Sequence, residues 1–222
     1  MNEHIAQKIE KGADGRYSIL YDWYPETLPE NIVAEDMVYL DTSYSFSCFH
    51  SLQPEAFSIG YGSGNYLHSH FFAGKNGKVT IGKYVIMEST LILSNDKVTI
   101  GDHGMFSWGS VITDSWLYEG IYPSAIRKDL LKKLSESETR FLEMPNPKPV
   151  CIEDNVWVGF GSVILPGVRL GRGCVVGCRT VISSDVPPYA IIVGDPSRIV
   201  KFLNPDDTEE EKLKAIQQYS SI

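Results

Sequence analysis

Positive charge is scarce in this sequence. The 222 residues include 20 lysines and arginines against 28 aspartates and glutamates, so the formal net charge is -8 at pH 7 and the isoelectric point is near 5.1. Proteins that bind nucleic acid rely on a surplus of basic residues to neutralise phosphates. The acidic balance therefore argues against a nucleic-acid partner.

Long apolar runs and dense cysteines are missing as well. No stretch of eighteen apolar residues occurs, and the N-terminus has no basic segment followed by an apolar one. The four cysteines form no C-x-x-C pair. We therefore expect a cytoplasmic protein with no membrane partner and no disulfide framework.

A six-residue repeat dominates the C-terminal half. From Cys151 to Ser183, branched apolar residues recur at every sixth position: Ile152, Val158, Ile164, Leu170, Val176 and Ile182. This period fits neither an α-helix nor an ordinary alternating strand. It is typical of a mainly β solenoid in which each hexad is a short strand plus a corner, with three hexads per coil of eighteen residues. Cys151 and Cys174 fall at repeat positions that favour small residues, so we expect buried thiols there.

The same step occurs earlier and defines the expected domains. Its apolar positions are Ile81, Met87 and Leu93, then, after one extra residue, Ile100, Phe106 and Ile112. An excursion at about 116–149, which contains an amphipathic helical pattern, separates the two blocks. We expect an N-terminal cap over 1–36, the solenoid over 37–203 and a C-terminal helix over 204–222.

The expected cap is rich in aromatic residues. Tyr17, Tyr21, Trp23 and Tyr24 lie close together in the sequence. Aromatic residues that cover the open first coil are the favoured interpretation, because solenoids need their ends covered. A sugar-stacking platform is the alternative.

Four segments of the C-terminal half carry a family resemblance. Ile152 to Gly159 (IEDNVWVG), Ile164 to Val168 (ILPGV), Val186 to Ala190 (VPPYA) and Val193 to Arg198 (VGDPSR) resemble the hexapeptide-repeat acyltransferases, among them sugar and xenobiotic O- and N-acetyltransferases. The resemblance implies a left-handed parallel β-helix and a homotrimer with active sites between subunits. It also implies transfer of an acyl group, acetyl above all, from acyl-CoA to a small-molecule acceptor.

The sequence departs from the family at one important position. The family carries its usual catalytic histidine at the start of the excursion, but Ile112 to Tyr118 contains none and no histidine follows His103. Histidine suits this role because its pKa lies near neutrality. Its loss leaves three possibilities open: another group is the base, the acceptor is an amine that needs little help, or the protein has stopped catalysing.

Two carboxylates are candidates for the missing base. Asp114 lies beside the family's histidine position, although Asp-Ser is also an ordinary turn pair. Glu88 falls where many sugar acetyltransferases of the family carry a substrate-binding asparagine, although a solvated corner carboxylate is the simpler interpretation. A base that works near neutrality requires partial burial to raise its pKa.

Further residues are candidates for binding the acceptor. Asn95 and Asp96 correspond to an acidic position of the family that contacts substrate, and they also occupy a turn. Trp116 and Tyr118 open the excursion, and such insertions often border the site. His70 lies eighteen residues before Glu88, which would place it one coil away on the same corner.

Metal binding is not expected. His68 and His70 raise the possibility of zinc, because left-handed helices of the carbonic-anhydrase branch bind zinc through three histidines. The later ligand positions of that branch lack histidine here.

The resemblance also places the acyl-CoA donor. Phe160, Cys178 and Ser183 match positions of the family's cofactor channel. Serine is common at the first, the backbone of the second usually contacts the pantetheine arm, and threonine is frequent at the third. Arg198 and Lys201 match basic positions that meet the phosphates of coenzyme A.

Two functions follow from these observations. The first is an acyl-CoA-dependent transferase that acts on a sugar, an amino sugar or a nucleotide-linked sugar. The alternative is a catalytically inactive left-handed β-helix that serves as a binding or scaffold protein. Arg198 and Lys201 favour the enzyme, because a scaffold has no need of cations at the coenzyme's place.

Overall fold

The chain is mainly β, with three parallel sheets and one described α-helix. The computed structural model describes residues 9–24, 26–115, 124–136 and 146–204, together with 210, 213–214 and 216–217. The helix, α1, spans Ser124–Glu136 and buries none of its residues. Among the described residues, no helix has the length and hydropathy needed to cross a bilayer.

From β5 (Phe57–Ile59) to β19 (Val181–Ile182), each of the three sheets contains every third strand of the chain. Sheet I contains β3 (Ile32–Ala34), β5 (Phe57–Ile59), β8 (Lys78–Ile81), β11 (Lys97–Ile100), β14 (Val150–Ile152) and β17 (Arg169–Leu170). Sheet II contains β4 (Tyr39–Leu40), β6 (Gly64–Tyr66), β9 (Ile86–Glu88), β12 (Met105–Phe106), β15 (Trp157–Val158), β18 (Val175–Val176), β20 (Ala190–Val193) and β21 (Arg198–Phe202). Sheet III contains β7 (His70–Ala73), β10 (Leu91–Ser94), β13 (Val111–Thr113), β16 (Val163–Ile164) and β19 (Val181–Ile182).

The chain passes through sheets I, II and III in the same order, and we call each pass a circuit. Neighbouring strands within a sheet pair in parallel, except that β21 folds back antiparallel on β20. Two small elements precede or join the first circuits: an antiparallel hairpin of β1 (Ile9–Lys11) and β2 (Tyr17–Ile19), and a 3-10 helix at Ser43–Phe46. Parallel pairing begins with β3, which precedes residue 37, the position where the sequence analysis placed the start of the solenoid.

The core lies between the sheets and consists of in-register apolar ladders. Ile112, Ile164 and Ile182 stack at the inward position of sheet III and are fully buried. The predicted six-residue step holds from β14 to β19 because the strands there are equally spaced along the chain. Alternate residues of a strand face opposite sides, so one residue of each short strand points into the core. In the earlier circuit Ile92, and not the predicted Leu93, pairs with Ile112 and faces inward.

Tight turns join the sheets. A Cβ at Gly101 would lie 2.8 Å from the backbone nitrogen of Asp154, so the turn from sheet I to sheet II has no space for a side chain there. The expectation of two buried thiols is half right: Cys174 is buried, whereas Cys151 is the outward residue of β14 and is exposed. The expected C-terminal helix lies largely outside the described residues.

Candidate active site

The predicted site residues lie on two different edges of the three-sheet structure. We call the turns from sheet II to sheet III the II–III edge, which comprises 67–69, 89–90, 107–110, 159–162 and 177–180. We call the turns from sheet III to sheet I the III–I edge, which among the described residues comprises 74–77, 95–96, 114–115, 146–149, 165–168 and 183–185. Successive turns are joined by backbone hydrogen bonds, such as Arg179 N to Phe160 O at 2.8 Å.

Glu88 lies at the II–III edge, where it is the last residue of β9 and is half-buried. It pairs in register with Tyr66 of β6. His70 instead pairs with Leu91 in sheet III, so the expected alignment of His70 and Glu88 on one corner is wrong. The reason is that the circuit between them does not keep the regular spacing of the later repeats.

Asp114 lies at the III–I edge and is fully buried. Its carboxylate accepts hydrogen bonds from Ser94 Oγ at 2.9 Å, Asn95 N at 2.9 Å, Asp96 N at 2.9 Å and Ser115 Oγ at 2.5 Å. These donors occupy both oxygens and fix the turn at residues 94–96. The Asp114 carboxylate is therefore a hydrogen-bond acceptor that holds this turn in place. Because both of its oxygens are engaged, it has little capacity to accept a proton from a substrate.

The other residues predicted to bind the acyl acceptor differ in exposure. Asn95 is half-buried and donates through Nδ2 to Ser115 Oγ at 3.2 Å, whereas the side chain of Asp96 is exposed. Trp116 and Tyr118 lie outside the described residues. The excursion leaves sheet III next to Asp114 and returns beside it, because Lys148 N donates to Asp114 O at 2.7 Å.

Phe160 and Cys178 are neighbours on the II–III edge and both are exposed. The Arg179 guanidinium lies 5.7 Å from the centre of the Phe160 ring, within the range of a cation–π contact. A Cβ at Gly159 would lie 2.7 Å from Cys178 N, so the backbones of these two turns approach as closely as glycine allows. Ser183 is exposed and follows β19, on the opposite side of sheet III.

Arg198 and Lys201 both lie on β21, whose residues are all exposed. Arg198 pairs with Val193, and Lys201 pairs with Ile191 of β20. The antiparallel return therefore brings two exposed cations back over the last circuit.

A carboxylate–histidine pair that sequence analysis missed lies near the N-terminal end. His68 Nδ1 lies 3.2 Å from Asp41 Oδ2, although the two residues are far apart in the chain. Only the register of β4 and β6 brings them together. Burial lowers the pKa of nearby His70 below its ordinary value, and the charge of His68 adds to this effect. No group of three or more metal-ligating side chains occurs in the part of the chain that the structure describes.

Comparisons with known proteins agree with this architecture. Residues 152–184 match the family model described as bacterial transferase hexapeptide (six repeats). The chain is 31% identical over 136 residues to the galactoside O-acetyltransferase of Lactococcus lactis, a match that covers 61% of this chain and 58% of that protein. It is 37% identical over 78 residues to the 2,3,4,5-tetrahydropyridine-2,6-dicarboxylate N-acetyltransferase of Staphylococcus aureus, over 35% of this chain and 33% of the relative. The chain thus spans less than two thirds of these curated relatives.

Solved structures show the same fold. A hexapeptide-repeat-containing acetyltransferase of Vibrio cholerae, crystallised with acetyl coenzyme A, superposes with a TM-score of 0.53 at 25% identity, over 72% of this chain and 75% of that one. A variant of AntD, an N-acyltransferase from Bacillus cereus crystallised with dTDP and coenzyme A, gives a TM-score of 0.52 at 17% identity, over 86% of this chain and 89% of that one. The resemblance predicted from the sequence is confirmed: this chain carries hexapeptide repeats and is similar to the hexapeptide-repeat acyltransferases.

Proposed function

We propose that this protein is an acyl-CoA-dependent transferase, most simply an acetyltransferase, that acts on a sugar, an amino sugar or a nucleotide-linked sugar. The observation that carries the proposal is the match of residues 152–184 to the transferase hexapeptide model, together with 31% identity to a galactoside O-acetyltransferase. The relatives named above act on both oxygen and nitrogen acceptors, so the proposal covers both.

The fold and assembly form part of the proposal. We infer that the three sheets wrap into a left-handed parallel β-helix, which the cyclic strand order and the superposition on the Vibrio protein support. We also infer a homotrimer with sites between subunits. Glu88, Phe160 and Cys178 lie near one edge of the chain, whereas Asn95, Asp96 and Ser183 lie at the other edge of sheet III. Two copies can bring these edges face to face, which one chain alone does not do.

The proposed acyl-CoA site consists of exposed residues of the last circuits. Arg198 and Lys201 would bind the phosphates of coenzyme A, because both cations lie on one exposed strand. Phe160, Cys178 and Ser183 would contact the pantetheine arm. When bound, acyl-CoA supplies the thioester whose carbonyl carbon the acceptor attacks, and the C–S bond breaks as the new C–N or C–O bond forms.

The acceptor must lose a proton during this transfer. We propose that Glu88 accepts this proton, because its side chain is half-buried at the II–III edge. The Asp114 carboxylate is less suitable, because four hydrogen-bond donors already engage it. Asp114 instead acts as a positioning residue, since it fixes the backbone of Asn95 and Asp96. An amine acceptor in its neutral form needs this assistance less than a hydroxyl does, because its lone pair is already nucleophilic.

The test is isothermal titration of the purified protein with acetyl-CoA and with free coenzyme A. We expect micromolar binding that weakens at least tenfold in Arg198→Ala and stays unchanged in the control Arg127→Ala, whose side chain lies on the exposed helix α1. Acetyl transfer to amino sugars should then fall in Glu88→Gln. Absence of binding to both ligands would contradict the proposal and favour a non-catalytic binding protein.

A further inference from the structure

An aromatic cluster lies at the N-terminal end of the II–III edge, outside the site described above. The Tyr44 ring lies 5.6 Å from Trp23, 5.1 Å from Tyr24 and 5.3 Å from His70, measured between ring centres. His68 lies 6.1 Å from Trp23. Trp23 remains 62% exposed despite these contacts, so one face of the cluster is open to a ligand. We call these five residues the Trp23 cluster.

The cluster is held in place by partly buried polar contacts. The Asp22 carboxylate accepts hydrogen bonds from Thr42 Oγ1 at 2.7 Å and from Ser43 N at 2.8 Å. These bonds tie the segment that carries Trp23 to the 3-10 helix that carries Tyr44. The exposed indole therefore sits on a fixed support, which reduces the entropy lost when a ligand binds.

Hydrogen-bonding groups border the aromatic surface. Asp41 and His68 form a pair at 3.2 Å in which the histidine side chain is 58% exposed and the carboxylate 23% exposed. Because Asp41 engages Nδ1, Nε2 of His68 stays available to a ligand. An apolar ring face beside a carboxylate and an imidazole matches a sugar, which presents C–H groups on one face and hydroxyls at its rim.

The position of the cluster connects it to the acceptor site. Tyr66, which precedes His68 by two residues, pairs in register with Glu88. Adjacent parallel strands are about 4.8 Å apart, so His68 follows a strand that lies directly beside the strand ending at Glu88. The Trp23 cluster and the proposed base therefore lie along the same edge.

The charges near the cluster decide between classes of sugar. Asp22 and Asp41 lie beside the rings, and the pKa of Tyr24 is raised by burial and by the neighbouring carboxylate of Glu26. Three carboxylates repel a diphosphate, whereas they tolerate a neutral glycan and attract an amino sugar.

We propose that the Trp23 cluster binds a second sugar ring of the acceptor, so that the substrate is a neutral or amino-sugar glycan of at least two units and not a nucleotide-linked sugar. This inference rests on the proposed function for its link to acyl transfer. The ring bound at the cluster is not the one acylated; it orients its neighbour toward Glu88.

The test is binding of the labelled full-length protein, without acyl donor, to an array that carries neutral disaccharides, amino-sugar disaccharides, monosaccharides and nucleotide-diphosphate sugars. We expect binding to one or both disaccharide classes, weakened about tenfold by Trp23→Ala. His68→Gln should also weaken it. The control Tyr61→Ala, an exposed aromatic on the turn from sheet I to sheet II, should not change it.

Three results of the array experiment would contradict a sugar site at the Trp23 cluster. Preference for nucleotide-linked sugars, binding to no saccharide, or disaccharide binding that Trp23→Ala leaves intact would each overturn the inference. Urea denaturation of each variant verifies that the fold is intact. Titration with acetyl-CoA tests the proposed function separately, because it depends on Arg198 and not on the Trp23 cluster.

Discussion

At the scale of single residues, the turn between β10 and β11 depends on one carboxylate. Asp114 is fully buried, and it accepts the backbone N–H groups of Asn95 and Asp96 as well as two serine hydroxyls. Buried N–H groups that lose their acceptor cost more than an average hydrogen bond contributes, because they remain desolvated. The orientation of Asn95 in the proposed acceptor site is therefore coupled to a residue that does not touch the acceptor.

Asp114→Asn tests this coupling. The new amide places an NH2 group opposite existing donors, so we expect a loss of about 1–3 kcal/mol in the free energy of unfolding. Urea denaturation measures this, with Asp129→Asn on the exposed surface of α1 as the matched control. Unchanged stability together with loss of acetyl transfer would contradict a positioning role and restore Asp114 as the base.

His70 should make the stability of the protein pH-dependent. Burial, and secondarily the charge of His68, lower the pKa of His70 from its ordinary value of 6.5 in the folded state. As pH falls below 6.5, the unfolded chain takes up a proton that the folded chain resists, so stability is lost until pH passes the folded pKa. We expect a lower urea midpoint at pH 5.5 than at pH 7.5, with a smaller difference in His70→Gln. The control His50→Gln should keep the full difference.

The site residues show which properties the sequence can predict. The resemblance matched Phe160 and Cys178 to equivalent positions of two hexads, and the structure places both as exposed residues that follow a buried residue and a glycine. The sequence could not predict the burial of Asp114 or the pairing of Asp41 with His68, since both depend on strand register in the irregular circuits. Their roles in chemistry remain predictions.

At the scale of elements, the short strands are stabilised by the ladders they form across circuits. β16 has only two residues, yet Ile164 packs between Ile112 and Ile182 and is fully buried. A strand this short has little stability of its own. Packing of its inward residue must therefore supply most of the energy that holds it.

Ile164→Ala should destabilise the protein by about 2–5 kcal/mol, because it leaves a cavity in a closed ladder. Val163→Ala, which removes two methyl groups from the outward and half-buried neighbour, should cost less than half as much. Urea denaturation of both variants gives the comparison. Equal losses would mean that the outward face of sheet III is as closely packed as the core.

The regular repeats also explain which elements the sequence predicted well. The hexads from Ile152 to Ile182 predicted the order of strands β14 to β19, because every circuit there has the same length. The step failed at Leu93, where the circuit is irregular and Ile92 takes the inward place. Cys151 was misplaced for a different reason: strand alternation, and not residue size, turns it outward.

At the scale of the whole molecule, the outward faces of the sheets differ in character. The outward row of sheet II contains Ile86, Met105 and Trp157, which pair in register and are 41%, 48% and 49% exposed. The outward rows of sheet I instead include charged residues, among them Lys78 and Lys97. A contiguous apolar row on one face is typical of a surface that another protein covers.

This difference predicts which face the subunits of the proposed trimer share. We expect sedimentation velocity to give a species of about three times the 24.8 kDa chain mass. Met105→Asp should convert it to monomers, because an unpaired carboxylate would be buried in an apolar interface. Thr99→Asp, at the outward face of sheet I, should leave it unchanged. A trimer that survives Met105→Asp but dissociates in Thr99→Asp would place the interface on sheet I, and the II–III and III–I edges would then have to meet by a different packing of the three chains.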